Sequence, residues 1–369
     1  MTGFEHPAAL SAPPIRWEEL DRLLVVRPDN LGDVLLAGPA IAALRAAAPR
    51  ARLDLLASPA GAQAAKLLPA VDDVVVARVS WQQIATTAEP PDTELVAEIA
   101  LRQYDAAVVL TSFSQSPWPA GYALQRAGVP VRAGTSKEFG GTALTHWVPA
   151  PDDGLHQVDR ALHVLGRLGV AALTPTLHAR VPPQGRADAR AAVAAAGVGP
   201  GEDYAVLLPG ASCAARRWPA DRFRAAATRL AEKGLPVLVS GPAAEHDLVD
   251  AVTADGTPGV VGLAGALDVP GLAGLLEGAA VAVTNNSGGM HLADAVGTPL
   301  VALFAGTEDE GQYRPRSVPA AVLRVPTWCS PCHQFRCPFG LECLDIPPET
   351  VVTAALDIAR VCESGTPFG

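Results

Sequence analysis

Short apolar runs recur along the chain, each closed by a polar or proline-bearing turn and followed by a stretch with helix-like spacing of alanine and leucine. In the first half they are "RLLVVRP", "RLDLLA", "DVVVARV", "YDAAVVLTS" and "VRAGTS"; in the second, "YAVLLPG", "LPVLVSG", "GVVGLAG", "AAVAVTNNS" and "PLVALFAG". Runs that do not alternate with polar residues predict strands buried on both faces. Their alternation with segments such as "PADRFRAAATRLAEKG" predicts βαβ units in parallel sheets. The rhythm lapses into a proline-bearing connection near residues 170–186. The predicted fold class is therefore α/β: two doubly wound, Rossmann-like domains, residues 1–178 and 186–345, joined once and facing across a cleft. A last helix is predicted over residues 348–362.

A length of 369 residues suits two domains, and 49% hydrophobic against 18% charged residues supplies the apolar material for two buried sheets. The formal net charge is −10 with no lysine- or arginine-rich run, so the electrostatic footprint of a nucleic-acid partner is missing. No apolar stretch approaches the length of a membrane span, and "MTGFEHPAALSAPPIRW" lacks the layout of a signal peptide, which predicts a cytoplasmic protein. In a reducing compartment, clustered thiols point to metal or redox chemistry before disulfides.

The turns after the apolar runs carry the candidate chemistry. "RPDNLGDVLLAGPA", residues 27–40, places Asp33 between a strand and a helix. Two readings compete: a helix cap, or a carboxylate at the carboxyl end of a strand, where open α/β sheets bind ligands. "LLPGASCAARRWPADRF" offers Ser212 and Arg216 beside Arg217, as solvated surface groups or as phosphate contacts, since a guanidinium bonds phosphate bidentately. "VTNNSGGMHLADAV" offers Ser287, Gly288, Gly289 and His291 at a helix start, whose bare N–H groups suit a diphosphate; the plainer reading of His291 is a packed side chain. "SGPAAEH" offers Glu245, either favoured by the macrodipole in a first helical turn or accepting bonds from ribose hydroxyls. "LTSFSQSPWP" offers Ser112 and Gln115, ordinary loop residues or contacts to a sugar. No Walker loop, no GxGxxG after the first strand and no GxSxG elbow is present, which sets aside P-loop hydrolysis, hydride transfer and the hydrolase elbow.

"TWCSPCHQFRCPFGLECLD" spaces Cys329, Cys332, Cys337 and Cys343 as C-x2-C-x4-C-x5-C. Four thiols so placed could close a structural zinc site or hold an iron–sulfur cluster; the alternative is a reduced or partly disulfide-bonded loop.

In their joint order these segments resemble glycosyltransferase family 9, the heptosyltransferases, typified by enzymes that transfer heptose from ADP-heptose to the lipopolysaccharide inner core. The resemblance implies a GT-B fold and inverting transfer of a sugar, a heptose, from a nucleoside-diphosphate donor, with ADP as the nucleotide, to the hydroxyl of a sugar-containing acceptor. It implies no metal at the catalytic centre and a C-terminal helix, residues 346–369, that returns toward the first domain. By position, Asp33 resembles the family's catalytic base. Ser212, Arg216, Glu245, Asn286, Ser287, Gly288 and His291 resemble its donor-binding residues, and Ser112 and Gln115 fall where the acceptor is expected. Arg216 stands where the family has lysine, and Asn286 where aspartate is common. An asparagine there is neutral and does not repel a diphosphate. Two other readings fit the same residues: a nucleotide-sugar epimerase, which needs no acceptor, and a nucleotide-sugar-binding homologue without turnover.

Overall fold

The computed structural model describes residues 12–82, 92–138, 141–171 and 173–364, without the side chains of 361–364. The chain divides into two compact units, Met1–Pro175 and Thr176–Gly369, a division that falls inside the predicted proline-bearing connection.

In the first unit a six-stranded parallel sheet runs β3-β2-β1-β4-β5-β6. Its strands are β1 (Arg22–Arg27), β2 (Arg52–Ala57), β3 (Asp73–Val76), β4 (Ala106–Val109), β5 (Val131–Ser136) and β6 (His146–Pro149). β1 is central: Val25 pairs with Leu55 on one side and Val108 on the other, and Leu23, Leu24, Val25 and Val26 have no solvent exposure. Such a position explains why "LLVV" carries no polar alternation: helices cover both faces.

The second unit repeats the plan as β12-β11-β10-β7-β8-β9. Its strands are β7 (Ala205–Leu208), β8 (Val237–Gly241), β9 (Val260–Ala264), β10 (Val281–Asn285), β11 (Leu300–Leu303) and β12 (Ala320–Leu323). Taken in chain order within each unit, both sheets read 3-2-1-4-5-6, the doubly wound order whose direction reverses beside the first strand. The reversal falls between β1 and β4 in one unit and between β7 and β10 in the other, and ligands of such sheets bind outside the strand ends at that point.

β6 and β12 are additions to the predicted strands. Both lie at sheet edges, and their "HWVP" and "AAVL" are partly exposed, so neither shows the apolar run of a central strand. The last helix, Pro348–Ser364, buries Val351, Val352, Ala355 and Ile358 in a core shared with Val281, Val301, Trp218 and Phe223. Up to Ile358 this helix packs in the second unit.

Two glycines set the approach of the helices Pro183–Ala195 and Val269–Glu277. A Cβ on Gly185 would collide with the carbonyl oxygen of Pro270, and one on Gly274 would sit 2.7 Å from that of Gly185. Because the obstacle is backbone, the helices themselves would have to part. Gly185→Ala is expected to destabilise the protein by about 1–3 kcal/mol, read as a lowered midpoint in thermal denaturation; an unchanged midpoint would show that this contact yields freely.

Candidate functional site

In the first unit the site is assembled by an arginine. Arg27 ends β1 with its side chain 4% exposed. Its Nε lies 3.0 Å from Asp29 Oδ2 and its Nη2 3.1 Å from Asp33 Oδ1. Nη2 also donates to Ser112 Oγ at 2.8 Å, and Nη1 to Leu110 O at 3.2 Å and Gln115 Oε1 at 3.4 Å. Gln115 closes the ring: its Nε2 donates to Asp29 Oδ1 at 2.6 Å and its Oε1 accepts from Ser112 N at 2.8 Å. The loop bearing Asp29 is itself pinned, because Ser58 Oγ donates to Asp29 O at 2.5 Å and Gly61 leaves no room for a Cβ against that same carbonyl.

Asp33, Ser112 and Gln115 are thus brought together at the carboxyl ends of β1 and β4, where the strand order reverses. Asp33 does not cap the helix Leu31–Leu36; the N-cap is Asn30, and Asp33 stands in the first turn with its side chain 24% exposed. Its carboxylate is fixed by the guanidinium yet reaches solvent, as a proton acceptor for a bound hydroxyl must. Sequence reasoning missed Arg27 and Asp29. The available signal was an arginine closing a strand behind four consecutive buried apolar residues, a position where a charge persists only with buried partners.

In the second unit four loops leave the carboxyl ends of β7, β8, β10 and β11. Asn285, without solvent exposure at the end of β10, holds the first of them. Its Oδ1 accepts from Trp218 N at 3.0 Å, and its Nδ2 donates to Pro209 O at 2.8 Å and Gly210 O at 3.3 Å, tying both ends of the loop that carries Ser212 and Arg216. Asn285 also escaped the sequence analysis, which singled out its neighbour. Asn286 is 4% exposed, its Oδ1 accepts from Ala305 N at 3.0 Å, and only its amide nitrogen is left to offer a ligand.

Within that loop Ser212 is exposed. Arg216 is no solvated surface charge: its Nε donates to Thr307 Oγ1 at 3.0 Å and its Nη2 to Glu308 Oε1, both on the loop after β11. Arg217 donates from Nε at 3.1 Å and Nη2 at 2.9 Å to Ala211 O, and its Nη2 stands 3.9 Å from Glu245 Oε1. The Glu245 carboxylate lies directly over Gly210, whose missing Cβ makes the space. Burial pushes Glu245 above the ordinary carboxylate range, and the Arg217 charge partly offsets it.

Ser287 is the N-cap of the helix Gly288–Val296, but its hydroxyl makes no capping bond. Gly289 lets this helix start lie against β7, since a Cβ there would meet Leu208 Cδ1 at 2.5 Å. His291 is only 6% exposed, with its ring centroid 6.4 Å from that of Tyr313, so a ligand would meet the Ser287–Gly288 end of this helix before it met His291.

For the cysteine segment the spacing leaves a metal site and a metal-free loop open. Cys329, Cys332, Cys337 and Cys343 are free and partly exposed, and among the described residues no three Cys, His, Asp or Glu side chains could hold one metal ion. The backbone takes part of the segment elsewhere: Cys332 N donates to Gly306 O at 2.9 Å, and Cys343 O accepts from Val325 N at 3.1 Å. Burial, reinforced by the neighbouring cysteines, pushes the Cys343 thiol up. No helix among the described residues is long and apolar enough to cross a membrane.

Residues 93–342 match the family model for glycosyltransferase family 9 (heptosyltransferase), a stretch that holds the second-unit candidates together with Ser112 and Gln115 and begins after Asp33. Lipopolysaccharide heptosyltransferase 3 of Escherichia coli is 34% identical over 169 residues, 45% of this chain and 48% of that protein, so this match spans about half the relative's length. Lipopolysaccharide heptosyltransferase 1 of Pseudomonas aeruginosa is 25% identical over 332 residues, 86% of this chain and 88% of that protein. The solved structure of the E. coli ADP-heptose lipopolysaccharide heptosyltransferase II superposes with a TM-score of 0.73 at 22% identity, covering 93% of this chain and 99% of that one, and shows the same α/β fold. With the family model matched over more than half of its length, the chain belongs to glycosyltransferase family 9, the heptosyltransferases, and is a glycosyltransferase.

Proposed function

We propose that the protein transfers a heptose from a nucleoside-diphosphate donor of the ADP-heptose type to a sugar hydroxyl of its acceptor, with inversion. The observation that carries this is the Arg27 ring: one guanidinium gathers Asp33, Ser112 and Gln115 at the strand ends where a doubly wound sheet binds its ligand. Asp33 takes the proton of the acceptor hydroxyl as its oxygen bonds to the anomeric carbon. The bond from that carbon to the diphosphate breaks, and its electron pair leaves with the nucleotide. A single displacement inverts the configuration.

Ser112 and Gln115 orient the acceptor. Arg216, Ser212 and the Ser287–Gly288 helix start neutralise the charge gathering on the departing phosphate, the main electrostatic task of such a site. The Asn286 amide adds a donor, His291 backs the helix turn, and Glu245 accepts from the ribose hydroxyls. No step in this scheme calls on a metal. A cytoplasmic location goes with this reading.

The test is incubation with ADP-heptose and lipopolysaccharide inner-core glycans as acceptors. The expected result is ADP released in step with glycosylated acceptor of inverted anomeric configuration, and no reaction of the donor alone. An isomerised sugar from donor alone would make the protein an epimerase; donor binding with no product across a broad acceptor panel would make it a binding homologue.

Acidification gives a second expected result. Because burial raises Glu245, it takes up a proton at a pH where an exposed glutamate stays ionised, and the protonated group is the poorer acceptor for ribose. ADP affinity measured by calorimetry should therefore weaken on acidification earlier than an ordinary carboxylate would dictate. Arg217→Ala should move that loss to higher pH, and Glu245→Gln should flatten it. A pH dependence unaltered by Glu245→Gln would remove Glu245 from the site.

A further inference from the structure

We propose that Glu308 is a positioning residue of the donor site: it holds the Arg216 guanidinium while the site is empty and yields it to the donor's diphosphate. The inference rests on the donor-site reading given above.

A guanidinium grips a phosphate with two parallel N–H groups on one edge of its fork. In Arg216 the edge formed by Nε and Nη2 is already taken, Nε by Thr307 Oγ1 at 3.0 Å and Nη2 by Glu308 Oε1. An incoming diphosphate cannot gain that edge until the Glu308 carboxylate moves, and the carboxylate that holds the arginine also repels the diphosphate.

The two holding groups differ in how they are anchored. Thr307 is 2% exposed, and the backbone around it is laced to the cysteine segment: Cys332 N donates to Gly306 O at 2.9 Å, His333 N to Thr307 O at 3.0 Å, and Phe335 O accepts from Ala215 N at 3.2 Å. A Cβ on Gly306 would stand 3.1 Å from that of Ser330 and 3.3 Å from that of Cys343, so this backing is close-fitting. Glu308, by contrast, is engaged through its side chain and reaches solvent. Its second oxygen lies 3.9 Å from His333 Nδ1, a partner that keeps the carboxylate company when the arginine is given up. Thr307 keeps the arginine in place while Glu308 changes hands.

The test is ADP binding by calorimetry to the full chain as wild type, Glu308→Gln, Glu308→Asp, Arg216→Ala and the Arg216→Ala/Glu308→Gln double variant. Removing the competing charge should tighten ADP about five-fold in Glu308→Gln, the factor a partly exposed ion pair commands, and less in Glu308→Asp. In the Arg216→Ala background the tightening should vanish. A residue that merely props the loop would instead weaken binding when changed. Affinity that is unchanged or weaker in Glu308→Gln overturns the proposal, as does a tightening that persists without Arg216; should Glu308→Gln not fold, the Glu308→Asp result decides by the same signs. If wild type binds ADP and Arg216→Ala does not, the donor site stands whatever Glu308 does; if wild type binds no nucleoside diphosphate, both readings fall.

Discussion

Asp33→Ala is expected to cost about 10²–10⁴-fold in sugar transfer, the contribution typical of a positioned general base, while ADP affinity stays near the wild-type value. The two readouts separate because Asp33 belongs to the first unit and the proposed diphosphate contacts to the second. The substitution leaves the fold a way to accommodate it. Arg27 keeps Asp29, Leu110 O, Ser112 and Gln115 as partners, and Asp33 is partly exposed. Asp33→Asn keeps the shape, loses the proton acceptor and should be equally inactive. Loss of ADP binding in step with transfer would show that Asp33 supports structure and does not take part in the chemistry.

The largest effect on stability is expected at Asn285. Truncation to alanine strips partners from Trp218 N and Pro209 O, where no solvent replaces them, and from the half-buried Gly210 O. An unsatisfied buried polar group costs about 1–3 kcal/mol, so the two buried ones sum to roughly 2 kcal/mol or more. In a unit of this size that lowers the denaturation midpoint by roughly 5 °C or more. Asn285→Asp should do no better, since it exchanges two donated bonds for a buried negative charge. Both variants should also lose ADP affinity, because the loop carrying Ser212 and Arg216 is no longer tied to β10. A midpoint within a degree or two of wild type would show that the loop holds itself.

The sheets were legible because central strands in a parallel sheet have no polar face: "LLVV" and "AVLL" can be little else when helical segments flank them. β6 and β12 were not, because an edge strand is wetted on one side and its "HWVP" or "AAVL" resembles a loop. In the site, residues that meet solvent at strand ends stood out by type and position, among them Asp33, Ser212 and Glu245. The residues that hold them were invisible. Besides Asp29 and Asp33 close by in the chain, Arg27 acts through partners 83 to 88 residues away, and Arg216 through partners 91 and 92 residues away. No local pattern records those distances. Asn285 and Asn286 show the same limit at finer grain, since two adjacent amides at a strand end face different neighbours and only the backbone decides which ties the loop. The cysteine spacing fixes how far apart four thiols lie along the chain and leaves open whether they converge.

Ser112 and Gln115 stand on the segment between β4 and the helix Trp118–Arg126, outside the ladder of strand hydrogen bonds. Such a segment can be exchanged as a cassette while the layers beneath keep their stacking. Under the proposed acceptor role of this segment, variation in which sugar is accepted can accumulate there by substitution or insertion, with Arg27 as the fixed peg to which any new loop must still attach.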